Sequence, residues 1–419
     1  MNSDLKLSSI GTGPRVLIVV GILIAGSVAV VGIGLQLGNA IALLSGPNDP
    51  TAPAAADLAI ALAPSDPVGY WLKGTATGSL ESLQEAVRHA PFDYRWRIEL
   101  GRALENDEQY DAAELQFRGA VDLAPKYAFA HWSLANFLLR RERPDEAMAE
   151  LRLAADGDNS YRDQAFSLVW EYFGRDTGRL EEFAGNDSEA RARLAYFFAT
   201  RGLATEALKN WEMLDEAQKA SNPDILKAMA QGLFLQRHFK EALVFARQAG
   251  LDPDAQFETV SDGSFEKGLG GSGDSRFGWQ VVRGDSKVEV SGDAKVKGDG
   301  NRSARMTFRN SVKPDFYNLV QTVAVEPNTR YRLRFWIRTE NLRSAGMPLV
   351  AVVNANDDKP LAASKPFDSG TADWREVILD FATPAGCSGI SIRTIRPGCG
   401  EECPIAGTLW YDDFRLERY

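Results

Sequence analysis

The chain has 419 residues, more than the roughly 100–200 residues of an ordinary domain, so we expect two or three domains. Hydrophobic residues make up 44% and charged residues 25% of the sequence, which excludes a mostly disordered chain and a protein with many membrane spans. The net charge of −10 argues against a general nucleic-acid-binding protein, since such a protein needs a basic surface.

The N-terminal region contains a long segment without charge, because no charged residue occurs from Val16 to Asn48. Within it, residues 16–37 are apolar enough and long enough to cross a bilayer as one helix. Residues 38–53 follow as a predicted linker, because three prolines after residue 46 prevent the helix from continuing. The sequence therefore predicts an N-terminal transmembrane helix that acts as a signal anchor.

The charges on either side of this helix predict its orientation. Lys6 and Arg15 precede it, whereas the first charges after it are acidic. The positive-inside rule places residues 1–15 in the cytoplasm and the bulk of the chain outside. We therefore expect a single-pass protein of the inner (cytoplasmic) membrane with a periplasmic body. The alternative is a cleaved signal peptide, with the small residues Gly38 and Ala40 before the cut.

The next region has an internal period. Tyr94–Tyr127 and Ala128–Tyr161 align without gaps at an offset of 34 residues. Small residues recur at the same phases, and the large residues Phe117 and Leu151 occupy equivalent places between them. This pattern resembles the tetratricopeptide repeat, whose period is about 34 residues. The resemblance predicts an all-α solenoid of five to six repeats over residues 54–254.

The resemblance also implies a concave face that binds a peptide or a partner protein. The first-helix positions that would face this groove are Arg95, Ile98, Arg102, Phe129, Trp132, Asn136 and Arg140. Its polar members could hold a carboxylate through charge-assisted hydrogen bonds. The alternative is that these side chains are solvated or paired within the chain.

The three histidines are far apart in the helical region and suggest neither catalysis nor metal binding. We expect His89, His131 and His238 to be ordinary surface or core residues. Because no histidine occurs after position 238, the usual Ser-His and Cys-His catalytic arrangements are excluded from the C-terminal region.

Residues 255–419 lose the helical period and read as short alternating strands, which predicts a β-sandwich. In residues 331–338, the positions Tyr331, Leu333, Phe335 and Ile337 should share the packed face. In the last strand, simple alternation predicts one shared face for Trp410, Asp412, Phe414 and Leu416.

Several segments of this region resemble carbohydrate-binding jelly-roll modules of the galactose-binding-like type. They are the opening Asp262–Glu266, the Phe277–Trp279 segment and the closing Gly407–Leu416. The resemblance implies an all-β jelly roll, with a structural Ca²⁺ held in part by Glu266 and Asp412, and with Asp413 as the register alternative. Hydrogen bonding of Asp412 to backbone N–H groups is the competing interpretation.

The second face of residues 331–338 is the candidate glycan platform. Arg332, Arg334, Trp336 and Arg338 lie on it, and Arg393 on a neighbouring strand is expected to extend it. Tryptophan stacks on the apolar face of a sugar ring, and arginine favours an anionic glycan. The alternative is a solvated face on which arginines pair with glutamates.

The chain contains three cysteines, all near its C-terminus. Outside the cytoplasm, a loop-closing disulfide between Cys399 and Cys403 is the preferred pairing, with Cys387 left over. A Cys387–Cys403 bond is the alternative.

These features predict a membrane-anchored, non-enzymatic scaffold of the cell envelope. Its solenoid would bind a protein partner and its sandwich would bind glycan, in surface polysaccharide biosynthesis or export. The alternatives are a glycan-active hydrolase or lyase that uses the β domain, and a scaffold that binds only proteins.

Overall fold

A computed structural model describes residues 12–269, 275–282, 287–311, 319–398 and 403–419 of the protein. The chain divides into two compact units, Met1–Arg179 and Leu180–Tyr419. The first unit is helical, and the second contains the remaining helices and two β-sheets. The order of helices and strands confirms the predicted fold class of an apolar N-terminal helix, an α-solenoid and an all-β sandwich.

The first unit is built from helices that pack against their neighbours in sequence. The helices are α1 (Thr12–Leu44), α2 (Ala52–Leu62), α3 (Pro67–Thr77), α4 (Leu80–His89), α5 (Tyr94–Asn106), α6 (Tyr110–Leu123), α7 (Ala128–Arg140), α8 (Pro144–Gly157) and α9 (Asn159–Tyr172), with α10 (Thr177–Ala184) at the boundary between the units. Side chains of Asp66, Ser79 and Asp93 cap the N-termini of α3, α4 and α5 by accepting backbone hydrogen bonds.

The repeat pattern has the physical cause that the sequence indicated. A Cβ atom on Gly101 of α5 would lie 3.1 Å from the ring of Phe117 in α6, so glycine allows this close packing. Phe117 and its repeat equivalent Leu151 are both fully buried between their helices. The tetratricopeptide-like pairing of α5 with α6 and of α7 with α8 is therefore confirmed.

Helix α1 is longer than predicted. Residues 16–44 are long and apolar enough to cross a membrane, a property that an N-terminal signal sequence shares. The helix continues through residues 38–44, which the sequence had assigned to the linker, because no proline occurs before position 47. This C-terminal part packs against α2, so α2 has a helical partner.

The second unit continues the helical region and then changes to strands. Its helices are α11 (Ser188–Thr200), α12 (Ala204–Glu212), α13 (Glu216–Ala220), α14 (Pro223–Leu235) and α15 (Phe239–Gln248). The strands are β1 (Gln280–Val281), β2 (Val288–Asp293), β3 (Ser303–Ser311), β4 (Leu319–Ala324), β5 (Arg330–Ser344), β6 (Leu349–Asn354), β7 (Pro360–Ala363), β8 (Gly370–Ala382), β9 (Gly389–Ile395) and β10 (Ile405–Arg418).

The described strands form two antiparallel sheets. Sheet A has the order β1-β4-β9-β6-β7, and sheet B has the order β2-β3-β10-β5-β8. Tyr331, Leu333, Phe335 and Ile337 of β5 are all buried in the core between the sheets, as the alternation predicted. The core is apolar and continuous, and it includes Phe265 and Phe414 from the two ends of the sandwich sequence.

The predicted shared face of the last strand is wrong, because a β-bulge interrupts β10. The pairing of β10 with β5 shifts between Asp412 and Arg415, and Asp413 has a φ of +50°. Before the bulge, Leu409 and Tyr411 point into the core, and after it Phe414 does so. Trp410 and Asp412 therefore lie on the opposite side of the strand from Phe414.

Helices α14 and α15 pack directly against the sandwich within the second unit. Phe234 lies edge-on to Phe277, with ring centroids 5.2 Å apart. In the turn between the helices, Arg237 has a φ of +68°, and its carbonyl oxygen accepts hydrogen bonds from the side chains of Asn356 and Ser388. The last helical pair and the β-sandwich thus share one packed boundary.

Candidate functional site

The predicted groove positions of α7 form one partly exposed stripe. Phe129, Trp132 and Asn136 are partly exposed, and Arg140 is exposed, whereas the remaining positions of this helix are buried. Their spacing of three to four residues places them on one helix face. This face of α7 is the surface that the repeat resemblance indicated.

One predicted groove residue of α5 is misplaced. Ile98 is fully buried in the helical core and cannot contact a partner. Arg95 and Arg102 of the same helix are exposed, and Glu99 lies between them on that face. The assignment is therefore wrong for Ile98 alone, because the face that carries Arg95 and Arg102 presents Glu99 between them.

The three groove arginines already have acidic partners. Arg95 binds Asp93, Arg102 binds Glu99 at 3.0 Å, and Arg140 forms two hydrogen bonds with Glu105, at 2.6 and 2.7 Å. These pairs are the intramolecular alternative that the sequence left open. The arginine side chains remain 46–62% exposed, and exposed pairs of this kind contribute only about 0–1 kcal/mol. A partner carboxylate could replace Glu99 or Asp93 at small cost.

Aromatic side chains continue the exposed stripe of α7 onto the neighbouring helices. The guanidinium of Arg102 lies 5.4 Å from the ring of Phe129, and the ring of Trp132 lies 5.5 Å from that of Tyr161 in α9. Asn136 donates to the carbonyl oxygen of Trp132 and supports the same stripe. We call Arg102, Phe129, Trp132 and Tyr161 the aromatic band.

Tyr161 was not selected from the sequence. It occupies the same phase as Tyr127, 34 residues earlier, but the segment that follows it lacks the small residues of the repeat, so the repeat pattern does not mark it. Burial is the main cause of the raised pKa of the Tyr161 hydroxyl. Tyr161 therefore offers the band a partly covered, uncharged ring.

The candidate glycan platform is gathered on the outer face of sheet B. Trp336 is 37% exposed and lies diagonally across from the exposed Ile378 of β8. Arg332 is bound through two hydrogen bonds to Asp380, and Arg334 pairs with Glu376 and Glu417. The face therefore carries ion pairs around two exposed apolar side chains, Trp336 and Ile378, which we call the apolar island.

Two arginines of the predicted platform differ in their surroundings. Arg338 lies over the ring of Trp410 at 5.7 Å, on the same face as Trp336. Arg393 belongs to β9 of sheet A and hydrogen-bonds to Asp358, so it cannot extend the platform. The prediction for Arg393 is wrong because the chain passes from one sheet to the other between β8 and β9, which a strand pattern alone does not reveal.

Sheet A carries a cavity that the sequence did not predict. The cavity has a volume of 380 Å³ and is lined by Phe234, Ser275, Arg276, Gln280, Val282, Val320, Thr322 and Arg393. Residues from β1, β4, β9 and α14 meet there only because of the sheet order and the packed helical boundary. The alternation of Val320 and Thr322 with buried positions of β4 is the signal that could have indicated an outward face.

The proposed calcium ligands are surrounded by N–H donors. Asp412 is fully buried, and its Oδ2 accepts hydrogen bonds from the backbone N–H groups of Gly298 and Asp299. Glu266 likewise accepts from the backbone of Asn301 and Arg302. Calcium prefers oxygen ligands, so this donor set fits the hydrogen-bonding interpretation better.

Asp413, the register alternative, instead binds the guanidinium of Arg415. Among the residues that the structure describes, no group of three or more His, Cys, Asp or Glu side chains is arranged to hold a metal ion. Calcium binding at Glu266 and Asp412 or Asp413 stays a prediction.

The cysteine predictions are resolved only for Cys387. Its thiol is free and buried, and burial raises its pKa to about 11. The alternative Cys387–Cys403 bond is therefore wrong. The preferred pairing involves Cys399, which lies outside the described residues, so the Cys399–Cys403 disulfide stays a prediction.

One histidine is clearly structural. His131 is buried, and its two ring nitrogens hydrogen-bond to Glu150 and to the carbonyl oxygen of Pro125. This arrangement agrees with the expectation of a satisfied core histidine.

Comparisons with known proteins give two groups of solved structures. No family model matches the sequence, and no curated protein matches it. The β region is similar to a CBM4 structure (TM-score 0.30, 15% identity, 38% of this chain and 99% of that chain). It is also similar to the CBM22-1 xylan-binding domain of Xyn10C from Paenibacillus barcinonensis (TM-score 0.27, 14% identity, 39% and 96% covered). The helical region is similar to the TPR protein YrrB (TM-score 0.23, 18% identity, 42% and 95% covered).

Proposed function

We propose that this chain is a membrane-anchored, non-enzymatic scaffold of the cell envelope. Helix α1 anchors it in the inner membrane with residues 1–15 in the cytoplasm, the helical groove binds a protein partner, and the sandwich binds glycan. Surface polysaccharide biosynthesis or export is the proposed setting. The observation that carries the proposal is the aromatic band, whose residues lie on α5, α7 and α9. Exposed arginines of α5 and α7 lie beside it.

The composition of the band supports a protein partner. Tryptophan, tyrosine and arginine dominate the energetics of protein interfaces, because they bury large areas and still form polar contacts. An extended segment of a partner could place an apolar side chain on Trp132 and a carboxylate near Arg102. The exposed Arg102–Glu99 pair offers little resistance to such an exchange.

Peptide selection on the full chain in detergent tests the protein-binding function. Peptides enriched from a random library should bind the wild type and lose at least about tenfold in affinity on Trp132→Ala, the loss expected for a buried aromatic contact. Leu153→Ala is the matched control, because Leu153 is an exposed leucine of α8 outside the groove. Selected peptides that bind both variants equally would contradict a partner site in this groove.

The glycan-binding function rests on the apolar island of sheet B. Trp336 offers an exposed indole beside Ile378, and the surrounding arginines can exchange Asp380 or Glu376 for an anionic sugar. Retention of the full chain on immobilised acidic polysaccharide should be lost on Trp336→Ala with little change in Tm. If retention depended on Arg393 but not on Trp336, the glycan site would be the cavity of sheet A instead.

Two further experiments test the rest of the proposal. Protease treatment of spheroplasts should degrade the bulk of the chain and leave residues 1–15 protected. Incubation of the pure protein with polysaccharides should release no new chain ends. Release of shortened or unsaturated products would favour the hydrolase or lyase alternative.

A further inference from the structure

The upper part of α1 and helix α2 pack backbone to backbone. A Cβ atom on Gly34 would lie 2.9 Å from the carbonyl oxygen of Leu62, and one on Gly38 would lie 2.9 Å from the carbonyl oxygen of Ala59 and 2.8 Å from Cβ of Ala63. Any larger residue would separate the helices at both positions. Small residues spaced by four are the usual means by which apolar helices approach this closely.

The contacts fix the direction of α2. Ala42, near the end of α1, clusters with Ala52 and Ala56 at the start of α2, whereas Gly34 meets Leu62 at the end of α2. The two helices are therefore antiparallel, and α2 runs back toward the candidate membrane span. We call this contact, between Gly34, Gly38 and Ala42 on one side and Ala52, Ala56, Ala59 and Ala63 on the other, the anchor seam.

The length of α1 places the end of α2 near the membrane boundary. A helix needs about 20 residues to cross the roughly 30 Å hydrocarbon core. Counted from Arg15, the last charged residue before the span, such a crossing ends near Gly34. Residues 16–31 of α1 are exposed, and the contacts of α1 with α2 begin at Gly34. The span therefore ends where the anchor seam begins.

The exposed side of α2 is largely apolar: Leu62 lies near this level, and Leu58 lies one turn farther from the span, beside the exposed Asp57. Leu58 is 51% exposed and Leu62 is 36% exposed, and they lie one turn apart on one face. The only charged residue of α2, Asp57, forms an ion pair with Lys73 of α3 at 2.9 Å. The backbone of Leu62 lies against Gly34 of α1, and the proposed function places the exposed surface of α1 in lipid.

We propose that α1 and α2 form a permanent helical hairpin at the outer boundary of the bilayer, in which Leu58 and Leu62 of α2 contact lipid. The proposal rests on the membrane anchoring in the proposed function and extends it from one helix to the first pair of the solenoid. Removal of the N-terminus after Ala40 would delete Gly34 and Gly38 and leave the alanine face of α2 without its partner. The hairpin therefore requires an uncleaved α1.

Photocrosslinking to lipid tests the hairpin in the full chain. The protein carries p-benzoylphenylalanine in place of Leu58 and is reconstituted in nanodiscs of phosphatidylethanolamine and phosphatidylglycerol, and lipid adducts are measured by mass spectrometry. Ile24, in the exposed part of α1, is the positive control position. Leu115 of α6 is the negative control, because it is 68% exposed but lies outside the hairpin.

We expect lipid adducts at positions 24 and 58 and none at position 115. Adducts at position 24 but not at position 58 would overturn the hairpin and leave the membrane anchor intact. Absence of adducts at position 24 would overturn the anchor itself, and a mature chain that begins after Ala40 would overturn both.

Discussion

The carboxylate of Asp358 joins Arg237 of the last helical turn to Arg393 of sheet A. Its Oδ2 lies 3.1 Å from Nη2 of Arg237, and its Oδ1 lies 2.8 Å from Nη2 of Arg393. Arg237 and Asp358 are separated by 121 residues in sequence. One acidic side chain therefore connects the turn between the last two helices to the outer face of sheet A.

This ion-pair group predicts a pH dependence of stability. The hydrogen bond from Arg393, followed by that from Arg237, lowers the pKa of Asp358 below its usual value of 3.8. The stabilisation is therefore present above pH 3.8 and is lost as the pH falls through the lower pKa of the folded state. Asp358→Asn should lower the free energy of unfolding of the full chain by less than about 1 kcal/mol at pH 7. The difference from the wild type should vanish in acid, and a constant difference from pH 7 to pH 2 would contradict this cause.

The packed boundary between α15 and the sandwich predicts a strong effect at one glycine. A Cβ atom on Gly389 would lie 2.3 Å from Cδ2 of the buried Phe239 ring. Gly389→Ala should lower the free energy of unfolding by about 1–3 kcal/mol, as overpacking does in tight interiors. Gly386→Ala is the control, since nothing lies within 4 Å of its added Cβ. Equal Tm values for the two variants, measured by calorimetry, would show that α15 does not pack on β9.

Asp412 predicts a pH dependence of the opposite sign. Burial raises the pKa of this carboxyl above 3.8, although backbone N–H groups of Gly298, Asp299 and Asp413 bond to it. Its protonated form therefore favours the folded state, and this contribution is lost as the pH rises through the raised pKa. The stability of the wild type relative to Asp412→Asn should fall from pH 4 to pH 7 in denaturant titrations.

Removal of the same side chain tests its structural role and the calcium prediction. Asp412→Ala leaves buried N–H donors without acceptors and should cost about 3 kcal/mol of unfolding free energy. Calcium held by Glu266 and Asp412 would raise the Tm of the wild type and leave that of Asp412→Asn unchanged. A Tm of the wild type that does not respond to calcium or to a chelator would contradict the calcium prediction.

The anchor seam predicts a difference between two glycines of α1. Gly38→Leu should separate α1 from α2 and lower the Tm of the full chain in nanodiscs, because its Cβ would meet Ala59 and Ala63. Gly21→Leu serves as the control, since a Cβ there has nothing within 4 Å. Similar Tm values for both variants would argue against the seam.

Thiol titration tests the predicted disulfide. The buried Cys387, with a pKa of about 11, should resist alkylation at pH 8 until the protein unfolds. Unfolding without reductant should then modify one of the three cysteines, and reduction should expose the other two. Modification of all three without reductant would exclude the Cys399–Cys403 bond.

The features predicted correctly share a local cause. Alternation over residues 331–338 indicated the buried face of β5, since side chains alternate in any regular strand. The small residue Gly101 and the large residue Phe117 indicated how α5 and α6 pack, because these residues recur with the repeat period. Both predictions needed only the geometry of one element and its nearest neighbour.

The features missed depend on non-local or irregular geometry. The positive φ at Asp413 reverses the alternation of β10, and no simple pattern marks a residue other than glycine for that conformation. Arg393 was placed beside Trp336 because strand order across two sheets is not encoded in any one strand. The end of α1 was placed too early, because residues 38–44 pack against α2, a contact that the local sequence does not reveal.

The continuous helix between the proposed membrane span and the first solenoid pair has a kinetic consequence. With no flexible tether below the anchor seam, the aromatic band of the first unit would diffuse laterally with the lipid and keep a constant height above it. A partner that is itself attached to the same membrane would meet this surface in two dimensions. Confinement of both molecules raises their effective concentration, so a weak contact at Trp132 would suffice for a long-lived assembly.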